Sequence, residues 1–362
     1  MNAEYTARTY EDLRAKIADL RPAGADRRRS LVWCSDAELL AASRGVQGEL
    51  EIFIVGEQLR SDSNLVQEVL SHDTWKRTDG STITASRLVL PPADPFDAVT
   101  TFLCVELLRN GADSDAQEAL RLSEPIIETV LQRLHAHTES LIGLIGELLV
   151  ILQLVRAAPQ ELHAVLKAWY GSTRSSRDLQ LGGVGIEVKT TRRHTSTHNV
   201  QGVHQVELGH AVGGVDERFL YLVSVGLEPA DSGVGHTLPS LVDAVLDEID
   251  SHVDVEADTL RSAFLSDVVA YGLAGGAHYE HTEMKDRSLY AQGWSVAFCR
   301  TYDMTDAGVL VLRSEDILHR TMVELDTLTF RIALPEQVSG DANPSVGLPA
   351  MAARILAARG RA

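Results

Sequence analysis

The sequence predicts an α/β protein in which a β-rich N-terminal segment precedes an alternation of helices and strands. Three observations carry this. Short runs rich in β-branched and aromatic residues recur, as in "GELEIFIVG", "IEVKTT" and "RFLYLVSVGL". Between them lie segments with apolar residues at helical spacing, such as "LPSLVDAVLDEIDS". With 362 residues the chain is long enough for two or three domains, and its 44% hydrophobic content is ordinary for a soluble globular protein.

The first ninety residues read as a charged helix followed by strands: "LVWC", "GELEIFIVG" and "SRLVLPP". Asp79-Gly80, in "TDGST", marks a hairpin turn. "PPADP" at 91–95 punctuates the chain, and helical patterns follow over Phe96–Leu108 and Ser114–His135. Pro125 is expected to divide the second pattern into two helices. A domain boundary falls near residue 130, so 1–130 forms a β-rich domain suited to reading DNA or docking a partner.

Residues 139–156, "ESLIGLIGELLVILQLVR", are apolar nearly all round, which suits a helix buried in a core. Then come a loop with Trp169 and Gly171 and two short strands, "RDLQL" and "VGIEVKTT", joined through Gly182-Gly183. "RFLYLVSVGLEP" is apolar enough to be an internal strand. Two further helices, "LPSLVDAVLDEIDS" and "DTLRSAFLSDVVAYGL", precede the strands "WSVAFCRTYDM" and "GVLVLR" and a short basic tail helix. Residues 131–235 are read as a core domain, and 236–362 as a helical extension with returning strands packed on that core.

Composition excludes several classes. No stretch is expected to be long and apolar enough to span a bilayer: the best, Leu141–Val155, falls short of about 20 residues and carries Glu147. The N-terminus has no apolar signal-peptide region. Three cysteines, Cys34, Cys104 and Cys299, lie far apart and form no metal-type pair. A cytoplasmic, reduced protein without membrane contact is expected. His194, His198, His204 and His210 lack the spacing of a zinc site.

The formal net charge of -18 disfavours phosphate binding over the surface as a whole. Binding is local, however. Between 174 and 193 the balance reverses, with Arg174, Arg177, Lys189, Arg192 and Arg193 against Asp178 and Glu187. Arg27-Arg28-Arg29 is a second cluster, of the kind most often found on a solvated loop.

That basic segment surrounds a chemical pattern. In a strand, residues two apart share a face, so Glu187 and Lys189 point the same way. Asp178 precedes Glu187 by eight intervening residues, at the entrance to the neighbouring strand. Glu147 sits in a helix with no structural reason to carry a charge, and an isolated buried carboxylate costs on the order of several kcal/mol. Two carboxylates on adjacent strand ends can hold Mg²⁺, with substrate phosphate oxygens and water completing its shell. Lys189 beside the metal would orient the attacking water and stabilise developing negative charge. Each residue has a plainer reading: Glu187–Lys189 as a solvent-facing pair, Asp178 as a turn cap, Glu147 as a partner of backbone at a helix crossing.

The order D-x8-E-V-K, after a helix bearing a Glu, resembles the PD-(D/E)XK nuclease superfamily, with its restriction-endonuclease-like fold. The likeness is closer to a bacterial family of such proteins encoded near restriction and phage-defence genes. It rests on "GLIGELLVILQL", Trp169 with Gly171, Asp178, "IEVKTT", His198 and Gln205, and is specific over about 140–210. Arg177 stands where the motif's name has Pro, a position that varies widely in the superfamily.

The resemblance implies a mixed sheet of about five strands flanked by helices, with the site at its edge. It implies Asp178, Glu187 and the main-chain carbonyl of Val188 as ligands of Mg²⁺, with Mn²⁺ as substitute. Lys189 would be catalytic, Glu147 would complete the site, and Gln205 would orient the water or a phosphate. Arg174, Arg177, Arg192, Arg193 and His198 are the candidate DNA contacts. The expected function is a metal-dependent DNA endonuclease in a restriction or phage-defence system, in a possible homodimer. It is expected to be licensed by an ATPase or methyltransferase of the same locus, because the chain has no G-x-x-x-x-G-K-[ST] loop of its own. The alternative is a non-catalytic nucleic-acid-binding or adaptor subunit that keeps the fold.

Overall fold

Alternation along "LEIFIV" decides the architecture of the first part of the chain. In the computed structural model Leu50, Ile52 and Ile54 point into one apolar cluster, while Glu51 and Phe53 point to the opposite face. The structure describes all residues except 1–2, 25, 47, 91–95, 171–175, 210–213, 215, 232, 253–255, 276–278, 319–321 and 341. "PPADP", Gly171, Arg174 and His210 therefore lie outside the described residues. The chain divides into two units: Met1–His135 with Arg287–Leu289, and Ala136–Asp286 with Tyr290–Ala362.

The first unit contains α1 (Ala3–Ala18), β1 (Val32–Trp33), β2 (Leu40–Arg44), β3 (Leu50–Val55), α2 (Asn64–Val69), β4 (Leu70–Lys76), β5 (Thr82–Leu90) and α3 (Phe96–Arg109). It also holds the start of α4 (Ala116–Ala157). Its antiparallel sheet has the order β1-β2-β3-β5-β4. One face packs on Leu13 and Ile17 of α1 and on Leu103, Cys104 and Leu107 of α3. On the other, Glu51 is fully buried, held by Ser43 (2.7 Å), Arg87 (2.8 Å) and Arg29. The 27–29 cluster is thus not wholly a solvated loop, because Arg29 neutralises an internal acid and stacks over Trp75.

Pro125 does not break α4, which runs unbroken for 42 residues. A proline costs its own N–H bond to the carbonyl four residues earlier. Here Pro125 and Arg121 are both exposed, so water can satisfy that carbonyl. By length and composition this helix is apolar enough to cross a membrane, with a mean hydropathy of 1.9 over its best 18 residues. The sequence expectation on that point is corrected. That window is 72% buried against protein, as in the core helix of a globular domain.

The second unit continues from α4 through α5 (Leu162–Lys167), β6 (Leu179–Leu181), β7 (Val184–Thr191), β8 (Ser196–Gln201) and β9 (Phe219–Pro229). It goes on with α6 (Leu238–His252), α7 (Ala257–Gly275), α8 (His281–Met284), β10 (Trp294–Asp303), α9 (Ser314–Leu318), β11 (Thr329–Leu334), β12 (Ser345–Val346) and α10 (Leu348–Arg359). Its main sheet has the order β12-β10-β9-β7-β6. β7 and β9 are parallel and the other pairs antiparallel, so this is the mixed five-stranded sheet expected. A two-residue turn at Gly182-Gly183 joins β6 to β7, with Gly182 at φ 63°, where only glycine is unstrained.

Residues 236–362 do not form an extension. β10 lies inside the sheet between β9 and β12, and α10 packs on it with Met351, Ala352, Ile355 and Ala358 buried. β9 is buried over Leu220–Leu227 and needs a neighbour on each side, which β10 supplies. The basic tail is structural: Arg354 pairs with Asp303 (3.1 Å), Arg359 with Glu161, and Arg361 covers the Phe219 ring. "GVLVLR" is not a strand but an irregular segment without a ladder, fixed where Arg313 donates to the carbonyls of Val206 and Met304.

Candidate active site

β6 is short, and that creates the site. It covers β7 only over Val184–Ile186, leaving the outer side of the second half of β7 to other groups. Asp178, just before β6, occupies the first of these positions. Its N–H donates to the Ile186 carbonyl (3.2 Å), and its Oδ2 accepts the Val188 N–H (2.7 Å). A residue's N–H and C=O point to the same side of a strand, so the Val188 carbonyl also faces the Asp178 side.

Glu187 and Lys189 share a face, as strand alternation requires. Lys189 Nζ lies 2.8 Å from Glu187 Oε1 and donates to Gln205 Oε1 at 3.0 Å. Gln205 Oε1 also accepts the Gln201 N–H (2.9 Å), which anchors it to the end of β8. Glu187 is 2% exposed, so the pair is not the solvent-facing one that the plainer reading supposed.

Glu147 arrives from α4. It is buried, and its Oε2 accepts the Trp169 indole N–H at 2.6 Å, with the Tyr271 hydroxyl of α7 close enough to act on the carboxyl electrostatically. Its partner is therefore a side chain rather than backbone. Two glycines let α4 approach: a Cβ at Gly146 would strike the Thr190 methyl of β7, and one at Gly143 would lie 2.7 Å from Tyr271 Oη. The "GLIGE" spacing places both glycines and the acid within about a turn of helix.

The electrostatics join these groups. Burial raises the Glu147 carboxyl to about 7, and Glu187 adds to the rise, while Trp169, Tyr271 and Lys189 act against it. Burial, then the charges of Glu187 and Glu147, hold the Asp178 carboxyl well above the usual range. Lys189 is raised despite the opposing effect of burial, because Glu187 and Asp178 face it. It is an ammonium at neutral pH, a donor rather than a base.

The neighbouring acids raise Glu147 and Asp178, so this is a place where added positive charge is favoured. The donors are carboxylate and carbonyl oxygens, the set Mg²⁺ selects, and that ion needs only one or two protein carboxylates. Among the described residues no group of three or more His, Cys, Asp or Glu is arranged as a ready metal cage. Asp178, Glu187 and the Val188 carbonyl are the oxygen donors that could hold an ion keeping much of its water.

Two candidate DNA contacts are internal instead. Arg177 is 1% exposed, with Nε and one terminal nitrogen each 2.7 Å from the two oxygens of Glu217. Its remaining donors hold the carbonyls of Ser176, His204 and Glu207. Arg177 thus ties the segment leading to Asp178 to the turn carrying Gln205. Gly185 makes room, since a Cβ there would strike Glu217. His198 is also buried, its Nε2 2.7 Å from Ser224 Oγ, and Ser224 is the register partner of Lys189. Burial, with Lys189 adding, lowers its pKa to about 3, so it is a neutral packing group. Arg192 and Arg193 are exposed at the end of β7, with Arg192 3.8 Å from Glu139. Arg174 lies outside the described residues.

A family described as "Putative PD-(D/E)XK family member" matches residues 7–291. The chain belongs to this family. Its α+β fold is consistent with the nuclease-like fold of the PD-(D/E)XK superfamily, whose members are generally nucleases and typically use divalent metals. No curated protein and no solved structure shows significant similarity to the chain. The matched segment carries Asp178, Glu187 and Lys189 but ends before β10, which completes the sheet. Sequence reading gave no role to Trp169 and missed Tyr271. The glycines at 143 and 146 were the available signal, because a buried helix uses glycine where a neighbour must come close.

Proposed function

We propose that the protein is a divalent-metal-dependent nuclease that hydrolyses phosphodiester bonds in DNA. The meeting of Asp178, Glu187 and Lys189 at the open edge of β7, with Gln205 and Glu147 beside them, carries this reading. Mg²⁺, or Mn²⁺ in its place, would supply positive charge on a phosphoryl oxygen and acidify a bound water. An ammonium has three N–H donors. Glu187 and Gln205 take two on Lys189 and so aim the third, which can orient an attacking water or steady a phosphate oxygen. Burial of Glu187 keeps competing water from that pair. Arg192 and Arg193 are suitably exposed to hold the DNA backbone.

The biological role proposed is that of a restriction or phage-defence effector, licensed by a partner. Support for that role comes from the family resemblance and from a sequence without a phosphate-binding G-x-x-x-x-G-K-[ST] loop. The test incubates the full chain with supercoiled plasmid and Mg²⁺ or Mn²⁺, alone and with the products of neighbouring genes. Cleavage should stop on chelation and fall at least about 100-fold in Glu187→Ala and Lys189→Ala. Undiminished cleavage by either variant, or no metal-dependent cleavage under any of these conditions, rejects the reading.

A further inference from the structure

The buried guanidinium of Arg177 uses every donor it has. A guanidinium carries five N–H groups in a rigid fork. Nε and one Nη2 N–H meet the two oxygens of Glu217, each at 2.7 Å. The other three go to main-chain carbonyls: Ser176 (2.7 Å), His204 and Glu207 (2.8 Å). Glu217 Oε2 accepts the Gly209 N–H as well, at 2.9 Å. One side chain therefore fixes the backbone just before Asp178 and on both sides of Gln205.

Asp178 and Gln205 in turn reach consecutive residues of β7. Asp178 Oδ2 accepts the Val188 N–H at 2.7 Å, and Gln205 Oε1 accepts from Lys189 Nζ at 3.0 Å. The circuit from Arg177 through Asp178, Val188, Lys189, Gln205 and His204 back to Arg177 is closed: every link is a peptide bond or a hydrogen bond. Space for the pair is built into β7, because a Cβ at Gly185 would strike Glu217 and lie 2.7 Å from Arg177 Nε. A buried ion pair adds little stability over apolar side chains of the same volume. What a planar, two-pronged pair does supply is a fixed spacing. We propose that Arg177 and Glu217 are positioning residues, whose clamp holds Asp178 and Gln205 in register and so sets the candidate cation ligand against the Lys189 ammonium. Neither touches a reacting atom. The inference rests on the metal-dependent reading above.

The test removes the clamp without leaving a buried charge unpaired. R177M/E217L replaces both charges with apolar groups. Glu217→Gln keeps the size of the side chain but turns one acceptor into a donor, which the guanidinium cannot meet. Mn²⁺ binding to the full-length protein is measured by calorimetry for wild type and both variants, with urea denaturation of each in parallel. Loss of a group that orients a metal site typically weakens affinity 10- to 100-fold, so each folded variant should bind Mn²⁺ at least about tenfold more weakly. In plasmid cleavage kcat should fall by at least about tenfold while KM stays near the wild-type value, because the pair is buried and holds no DNA. A merely structural role would lower stability and leave the Mn²⁺ constant of a folded variant unchanged. An unaltered constant in an R177M/E217L protein as stable as wild type therefore overturns this inference alone. Failure of both variants to fold does the same, since it marks the pair as structural. Absence of Mn²⁺ binding by the wild type overturns it together with the metal-dependent reading.

Discussion

Replacing Arg177 with Met should destabilise the second unit strongly. The guanidinium is 1% exposed and contacts both oxygens of Glu217 at 2.7 Å, together with three backbone carbonyls. Met fills much of the volume but leaves Glu217, itself 6% exposed, as a buried carboxylate without its cation. Breaking a buried pair from one side costs about 3–5 kcal/mol. At about 2–4 °C per kcal/mol for a domain of this size, Tm should fall by roughly 6–20 °C. The double variant R177M/E217L removes both charges and should recover most of the loss, since apolar replacement of a whole buried pair is often neutral. Urea denaturation at pH 7, with calorimetry for Tm, measures all three proteins. A surface arginine that only touched DNA would change stability by no more than about 0.5 kcal/mol. An R177M protein within about 2 °C of wild type, or a double variant as unstable as the single, would refute the buried clamp.

Glu147 should make stability fall as pH rises. Below its ordinary pKa of 4.5 the group is protonated in both states and contributes nothing. Between 4.5 and about 7 the unfolded chain releases the proton while the folded chain keeps it, so folding weakens through that window. Above 7 the loss is complete, on the order of 3 kcal/mol. Glu147→Gln should remove it, which urea denaturation of both proteins at pH 5 and pH 8 would reveal; an equal pH dependence in the two would contradict it. Arg192→Ala with Arg193→Ala should weaken binding to all DNA sequences and reduce the slope of log K against log salt by up to about 2. A slope unchanged in fluorescence anisotropy titrations would place the DNA surface elsewhere.

The sequence by itself determined the chemistry-bearing residues and the local geometry that follows from period. Glu187 and Lys189 share a face because any strand puts residues two apart together. The Gly182-Gly183 turn, the buried character of α4 and the charge anomaly at Glu147 were legible for the same reason: each is a property of neighbours in sequence. Tertiary structure decided which charges are available. Arg177 and Arg193 look alike in the chain, yet one is sealed against Glu217 and the other is exposed, because burial depends on elements far apart in sequence. His198, on β8, was settled likewise, by Ser224 on β9 of the main sheet. The unbroken course of α4 through Pro125 depended on whether one freed carbonyl faces water, which local sequence does not state. β10 joined the sheet rather than an extension because the internal strand β9 required a second neighbour. Tyr271, on α7, meets α4 at Gly143, a contact that periodicity cannot reveal because it is fixed by two helices meeting in space.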